Sequence, residues 1–529
     1  MSLSVAQAEI INKAAPFIKK GNLSVQSLSD WAVNTPVILD GQPFTFKKHE
    51  YLKIPYEDNH PHQVELKAAQ MGLTTKAMLR AFYAAKYRNY KGILYLFPSR
   101  TDVLDFSKGR ITPLIQDNPD TLGSWIKDTD SASIKQVAGC VLYLRGMVSR
   151  VGLKSVPADL IIFDELDEAP QNRVDMAMER MGHSEYRESL KLSNPTIPEY
   201  GIDRAFRETD QRQWMIKCSG CGKYTSLIDT FLEAKPPEIP RCLKVTKTGD
   251  VLRVCVSCGH ELDVSKGEWV PARPSITDKR GYHYSQLFSQ YVTPKEVIDK
   301  YLTTDNLQDF YNLKIGVAYI ESENRLSIEE VLSLCGDEGI QDYEKDLCSM
   351  GVDQGKDLHV VISKTRVSGI AKIVHMGVYL HWEDLDRLIK NYNVYSCVVD
   401  ALPETRNARA FAERHKGKVY LNYYQIHQKG RYKWNEQDLT VSCNRTESLD
   451  ASHNEILHKK VTLPKKCDIV REFALHLHNV AKKLEEDDET GSKRYVYVKL
   501  GPDHFRHAFN YESMARSIYQ GKPFGELVC

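Results

Sequence analysis

Residues 160–165 read Leu-Ile-Ile-Phe-Asp-Glu, an apolar run that ends in two adjacent carboxylates. Such a run suits a buried strand, and open parallel sheets present their working groups at the carboxyl ends of their strands. Paired acids at that place suit hydrolysis of a nucleoside triphosphate. Asp164 would hold a Mg²⁺ ion through its hydration shell, and Glu165 would orient and deprotonate the attacking water. The same residues also read as a strand closing in an acidic turn, because Asp164 through Glu168 includes four acids.

The chemistry needs a loop whose amides face phosphate, followed by a helix N-terminus. Lys67-Ala-Ala-Gln70-Met-Gly72-Leu-Thr74-Thr75, leading into Lys76-Ala-Met-Leu-Arg-Ala-Phe, meets that description. Set against G-x-x-x-x-G-K-S/T, it keeps the second glycine (Gly72) and the hydroxyl for Mg²⁺ (Thr74). Lys67 replaces the first glycine and Leu73 replaces the lysine. The cation on the β/γ-phosphates would then be Lys67, reaching them from the opposite end of the loop. Gln70 and Thr75 complete the expected phosphate-binding set, and a plain strand–turn–helix corner is the alternative. Upstream, Tyr51 to Asp58 lies where an adenine-contacting segment would lie. Downstream, Ser193-Asn194-Pro195-Thr196 offers small polar groups for sensing a γ-phosphate, though Asn-Pro and Ser are also turn formers.

Cys218-Ser-Gly-Cys221-Gly and Cys255-Val-Ser-Cys258-Gly are the most specific local pattern. Each pair sets two thiolates on one tight turn, and two such turns complete a tetrahedral zinc site. Four thiolates leave no open position, so this metal would be structural. The gap between the pairs leaves room for a small lobe, and Cys242 and His260 stand near enough to be substitute ligands. A second acidic set lies later: Gly-Val-Asp353-Gln-Gly, Val-Val-Asp400, and Gly-Pro-Asp503-His504-Phe-Arg506-His507-Ala. Three carboxylates on two strands and a helix are what an RNase H-like nuclease uses to hold two Mg²⁺ or Mn²⁺ ions around a scissile phosphate. Each aspartate alone is equally a strand terminus or a helix cap. His504 and His507 stand by the third acid, and Asn444-Arg445-Thr446-Glu447 is a weaker polar cluster that could contact a DNA backbone.

The elements that must position these groups follow from the apolar patterning. Strands are expected at 64–69, 92–98, 140–144 and 160–163, with helices at 75–88 and 102–116, an alternation that implies βαβ units and a doubly wound sheet. Residues 215–275 break the rhythm and carry the cysteines. Helix returns in 294–305 and 327–334, and a second alternating pattern starts at Met350, with strands at 358–363, 374–380 and 395–399. Residues 485–489 are expected as an exposed acidic loop. A length of 529 residues suggests about two to four domains. With 71 basic and 70 acidic side chains the net charge is +1, so nucleic acid would have to be held by local patches. No stretch approaches the roughly 18 apolar residues of a membrane span. Met1 to Lys20 lacks the pattern of a secretory leader. Twelve cysteines, eight of them scattered, suit a reducing compartment.

In this order, these motifs resemble the large subunit of tailed-bacteriophage terminases, in the GpA-like branch. The resemblance also rests on Pro98…Phe106-Ser-Lys-Gly-Arg110-Ile-Thr-Pro, on Gly267-Glu-Trp269 and on Tyr282-His-Tyr-Ser. It implies an ASCE-type P-loop ATPase over residues 45–325, with a zinc-binding insert at about 215–275, behind an N-terminal helical segment 1–44. A linker at 326–345, an RNase H-like nuclease at 346–515 and a tail at 516–529 would follow. ATP-driven translocation of double-stranded DNA into a procapsid and metal-dependent cutting of concatemeric DNA are the implied activities. The implied partners are a small terminase subunit, the portal protein and further copies of the chain in a ring, in the host cytoplasm and transiently at the portal. A trans-acting arginine would come from Arg110, Arg145 or Arg150. The main alternative is a transposase- or integrase-like RNase H-fold nuclease with a zinc module and no true ATPase. A zinc scaffold without catalysis is the other.

Overall fold

The computed structural model describes residues 27–518 apart from 36, 150, 154–155, 305, 322–323, 366–368, 431 and 487–492. The expectations for most of 1–44 and 516–529, and for Arg150, therefore lie outside the described residues. The chain divides into two compact units, Met1–Ile320 and Glu321–Cys529. Among the described residues, no helix is long and apolar enough to cross a membrane.

The first unit is built on an 11-stranded sheet whose centre is parallel. Its seven parallel strands are β1 (His62–Lys67), β2 (Gly92–Phe97), β3 (Cys140–Gly146), β4 (Leu160–Asp164), β5 (Glu188–Ser193), β6 (Arg212–Lys217) and β7 (Arg280–Tyr284). They lie in the order β6-β7-β1-β5-β4-β2-β3. Every residue of β2 and β4 is buried. Alternate residues serve opposite faces: Ile93, Tyr95 and Phe97 join one hydrophobic cluster, Leu94 and Leu96 another. A strand covered on both sides must be apolar throughout, which is why the run at 160–163 shows no alternation. Helix α1 (Leu73–Tyr87) follows β1. The expected helix at 102–116 is present but interrupted: α2 (Arg100–Phe106) widens into a π-helical turn at Ser107–Ile111 before Thr112–Gln116 resumes α-helix.

Residues 215–275 are not a detached insert. β6 lies in the main sheet, and Gly267–Pro271 pairs antiparallel with it. The lobe between them holds a two-stranded pair, Leu243–Val245 with Val251–Arg253. Two indoles fasten its base: Trp214 Nε1 donates to Val264 O, and Trp269 Nε1 to Tyr51 O.

The second unit has an eight-stranded mixed sheet. Strands β8 (Cys348–Gln354), β9 (Leu358–Thr365) and β10 (Ala371–Tyr379) form an antiparallel meander. On the other side of β8, strands β11 (Val394–Asp400), β12 (Val419–Tyr424) and β13 (Thr440–Cys443) run parallel. Helices α3 (Asp468–His478) and α4 (His504–Ser517) follow. The α4 backbone lies hard against β8. A Cβ on Gly351 would stand 2.1 Å from both Ala508 O and Glu512 N, so only glycine fits. Residues 326–345, expected as a linker, instead belong to this unit's core, with Leu326, Val331 and Leu334 buried in one cluster with Val470 and Phe473. Their capped helix Ile328–Leu332 presents an apolar face, and that surface is stabilised by burial. Of the acidic stretch 485–489, Glu485 and Glu486 end the strand Val480–Glu486, and the rest lies outside the described residues.

Candidate functional site

In the first unit β1, β5 and β4 are neighbours, so Lys67, Ser193 and Asp164 come together at their carboxyl ends. Lys67 Nζ lies 2.8 Å from Glu165 Oε1 and 3.3 Å from Asn194 Oδ1. Asn194 Nδ2 donates back to Lys67 O at 2.9 Å. The Lys67 side chain is 7% exposed and that of Glu165 is 42%, so the ammonium is enclosed while the carboxylate faces outward. Burial opposes the Lys67 charge, but Glu165 and Asp164 outweigh it and hold its pKa above the usual value. Asp164 is buried, with the Tyr95 hydroxyl donating to Oδ2 at 2.9 Å and the Glu165 amide to Oδ1 at 3.2 Å. Burial, then the Glu165 charge, push the Asp164 carboxyl upward. Glu165 has φ 52°, a left-handed conformation costing a side-chain-bearing residue about 1–2 kcal/mol. Asp167 braces that turn, accepting from Thr196 N, Thr196 Oγ1 and Ile202 N. So one of the four acids in the turn is structural.

The loop between β1 and α1 begins tied down and ends open. Ala68 N donates to Tyr284 O and Ala69 N to Leu313 O. The amides of Gln70 through Thr75 make no backbone hydrogen bond among the described residues. Gln70 and Gly72 are left-handed, with φ 60° and 83°, and Gly72 is the N-cap of α1. Thr74 and Thr75 stand half-buried in the first helical turn. Unpaired first-turn amides and the helix dipole together favour an anion. Of the upstream segment, the Tyr51 hydroxyl reaches Met71 O at 3.4 Å. Asp58 is spent elsewhere, on the Tyr282 hydroxyl at 2.5 Å and Arg280 at 3.4 Å.

The four cysteines converge. Cys218 Sγ is 3.6 Å from Cys258 Sγ, Cys221 Sγ is 3.6 Å from Cys255 Sγ, and all four sulfurs lie within 4.8 Å of one another. Thiolates around a tetrahedral zinc ion at about 2.3 Å stand about 3.8 Å apart, so the donor set fits that metal. Gly222 and Gly259, both at φ 73°, turn the chain so that their amides reach Cys218 O and Cys255 O at 2.8 Å. Neither Cys242 nor His260 belongs to the group. Cys242 Sγ instead faces Leu227 O.

In the second unit, Asp353 and Asp400 leave the same ends of adjacent parallel strands, where the register pairs Val352 with Val399. Asp400 accepts from Leu402 N at 3.1 Å and from the Tyr511 hydroxyl at 2.9 Å. Asp503, just before α4, pairs with Lys499 at 2.6 Å and His507 at 3.4 Å. Burial would raise its pKa, but its pairing with His507 and Lys499 holds it far below the usual carboxylate range. The tight group is not the three aspartates. Asp353, His359 and His504 place their donor atoms within 4.8 Å of one another, and His504 Nδ1 lies 2.9 Å from Asp353 Oδ2. Arg506 is buried and structural, donating to Ser452 Oγ and Leu449 O. Asn444 caps the helix Arg445–Leu457, and Arg445 donates to Tyr497 O. That polar cluster is thus engaged in the fold.

Residues 54–269 match a family model described as the phage terminase large subunit gpA, ATPase domain. Residues 54–269 thus carry a domain similar to that of phage terminase large subunits. The chain's first unit carries an ATPase domain, and ATP is the ligand of that domain. Among solved structures, the HK97 bacteriophage large terminase overlays with a TM-score of 0.52 at 12% identity, covering 92% of this chain and 99% of that one, which shows a shared fold. The large terminase of a thermophilic bacteriophage overlays at 0.33 with 13% identity, covering 90% and 100%. The large terminase nuclease of thermophilic phage G20c overlays at 0.24 with 14% identity, covering 35% and 96%. The last two superpositions are too loose to bear on this chain. No curated protein matches it.

In this chain the motifs carrying the resemblance have structural duties too. Trp269 packs edge-on against Tyr282 and Tyr284. His283 is buried with Nε2 2.7 Å from Gly316 O. Two residues of the two sites, Tyr95 and His359, escaped the sequence reading. Tyr95 looks like one more apolar strand residue, whereas Asn194 was read within the segment 193–196, and the structure sets it on Lys67. His359 was legible in principle, because a tight hairpin centred near Lys356 puts it opposite Asp353, and the two are register partners.

Proposed function

We propose that this chain is a two-engine DNA-packaging enzyme, a nucleotide-driven motor and a metal-dependent endonuclease. The observation that carries the motor is the Lys67 ammonium shared by Glu165 and Asn194 at the ends of β1, β4 and β5, beside a loop with unpaired amides. The amides of Gln70 to Thr75 would hold the β- and γ-phosphates, with Lys67 supplying the cation that the missing loop lysine would have given. Thr74 and Asp164 would hold Mg²⁺, whose charge offsets that of the phosphates. Asp164 is pre-set for that role: the Tyr95 hydroxyl and the Glu165 amide fix its plane. Glu165, outward-facing, would take a proton from the attacking water. A γ-phosphate competes with Glu165 for Lys67, so filling the loop frees the base it needs.

The second engine rests on Asp353, Asp400 and Asp503, near the ends of β8 and β11 and the start of α4. The meander joined to parallel strands supports reading this unit as an RNase H-like fold. Divalent metal there would stabilise the attacking and leaving oxygens of a scissile phosphate. The cysteine group would hold structural Zn²⁺. We assign the first unit, from about residue 45 to Ile320, to the motor and the second, from Glu321 to about residue 515, to the nuclease. Double-stranded DNA, a small terminase subunit, a portal protein and a ring of further copies are the partners, with action in the host cytoplasm and at the procapsid. A transposase-like reading has no use for Lys67 beside Glu165. The test of the motor is Glu165→Gln: ATP binding should persist while turnover falls by about 10²-fold or more. Turnover within a few-fold of wild type removes Glu165 from this role.

A further inference from the structure

Two histidine-containing clusters lie in the second unit beside the aspartates. One, His359, Glu472 and His476, fails on its hydrogen bonding. His476 Nδ1 accepts the Phe505 amide at 3.2 Å. Its proton therefore sits on Nε2, the nitrogen 3.8 Å from Glu472 Oε1, and a protonated nitrogen cannot ligate a metal.

The other cluster differs: His504 Nδ1 faces a carboxylate, and among the described residues no amide bonds its other nitrogen, so its proton is free to move there. Asp353 on β8 and His359 on β9 are cross-strand partners on a rigid hairpin. His504 opens α4, and its ring stacks on that of His359 with centroids 4.5 Å apart. His359 is 7% exposed, and its Nδ1 has no hydrogen-bond partner among the described residues. A buried ring nitrogen left unpaired is costly, and a metal ion is one way to satisfy it. His504 Nδ1 and Asp353 Oδ2 are 2.9 Å apart. Adjacent ligands of an octahedral ion at about 2.1 Å stand about 3 Å apart, the same spacing. The exposed edge of His504, 38% by its side chain, gives the site an entrance.

We propose that Asp353, His359 and His504 form a mixed nitrogen–oxygen site for a first-row transition-metal ion of the Mn²⁺ class, selected over Mg²⁺. This rests on reading the pocket as a metal site of the nuclease, and it differs from an all-aspartate set in its chemistry. Mg²⁺ keeps oxygen ligands and water, whereas imidazole favours Mn²⁺ and the later metals. The ion takes the place of the proton shared between His504 and Asp353. Asp400 and Asp503 remain close enough to shape its field, but His507 and Lys499 already engage Asp503.

The probe is Mn²⁺ added to zinc-replete, nucleotide-free full-length protein, followed by electron spin-echo spectroscopy. The expected result is ¹⁴N modulation on the bound ion, with Mg²⁺ displacing it only at tenfold excess or more. His504→Gln, at the open rim, should weaken Mn²⁺ binding at least about tenfold and reduce the modulation while the melting temperature holds. Bound Mn²⁺ without nitrogen coupling, or displacement by equimolar Mg²⁺, overturns the proposal, and the wild-type spectrum decides this even if a variant misfolds. A plasmid-cleavage assay on the same sample separates the two ideas. Nitrogen-coupled Mn²⁺ with no cleavage removes the nuclease and leaves the site, whereas cleavage with oxygen-only Mn²⁺ does the reverse.

Discussion

Lys76 lies in the second turn of α1, and its ammonium bonds Glu65 on β1 and, at 3.2 Å, Gln63 Oε1. The two elements it joins flank the phosphate loop. The side chains of Lys76 and Glu65 are 1% and 0% exposed, so this pair is fully desolvated. Burial lowers the Lys76 pKa, and Glu65 only partly restores it. Glu65 Oε2 has no partner among the described residues. Lys76→Met would leave a lone carboxylate in the core, a change costing about 3–5 kcal/mol. A unit of this kind has a total stability of about 5–15 kcal/mol, so the loss is severe. At roughly 2–4 °C per kcal/mol, its melting temperature should fall by about 6–20 °C. Replacing both partners, as Glu65→Leu with Lys76→Met, trades the pair for packing and should recover most of that loss. Urea unfolding of the zinc-replete chain, followed on the first unit's transition for wild type, both single variants and the double, measures the coupling. A Lys76→Met cost below about 1 kcal/mol, or a double variant as unstable as the sum of the singles, refutes the reasoning.

Three further outcomes are expected. Chelation, or Cys221→Ser at an exposed ligand position, should release one zinc per chain and lower the first unit's melting temperature; protein purified without zinc and equally stable would contradict the four-thiolate site. Burial lowers the His283 pKa to about 4. Its contribution to stability is therefore complete above the unfolded value of about 6.5 and is lost as pH falls from there toward 4, about 3 kcal/mol at about 1.4 kcal/mol per pH unit. His283→Gln should flatten that part of the stability curve, and an unchanged slope would count against it. Gly351→Ala would push a Cβ to 2.1 Å from the backbone of α4, costing about 3 kcal/mol or more in the second unit. A wild-type denaturation midpoint would show that α4 can move away.

Much of the first unit was legible because buried parallel strands have an unmistakable composition. The runs at 92–98, 140–144 and 160–163 correspond to β2, β3 and β4 within a few residues. The loop between Lys67 and Thr75 was legible from glycine and hydroxyl spacing. Spacing does not give strand order, and order is what makes the site. β5 lies between β1 and β4, which carries Asn194 to Lys67 across 127 positions of sequence. The stretch 326–345 misled because its apolar residues are few and sparse, and only the tertiary structure reveals what they cover. The late acids were read as one set of three carboxylates with His504 and His507 beside the third, and His359, a donor close to Asp353, was not among them. Hairpin register chooses His359, and the turn into α4 chooses His504 over His507.

The central claim is that one chain holds two separable engines. The most direct test measures ATP turnover and Mn²⁺-dependent plasmid cleavage on the same preparations of wild type, Glu165→Gln and Asp353→Ala. Glu165→Gln should abolish turnover and still cut, and Asp353→Ala should stop cutting and still hydrolyse ATP. If Asp353→Ala cuts as well as wild type, or if the wild type cuts without ever hydrolysing ATP, the two-engine account is wrong.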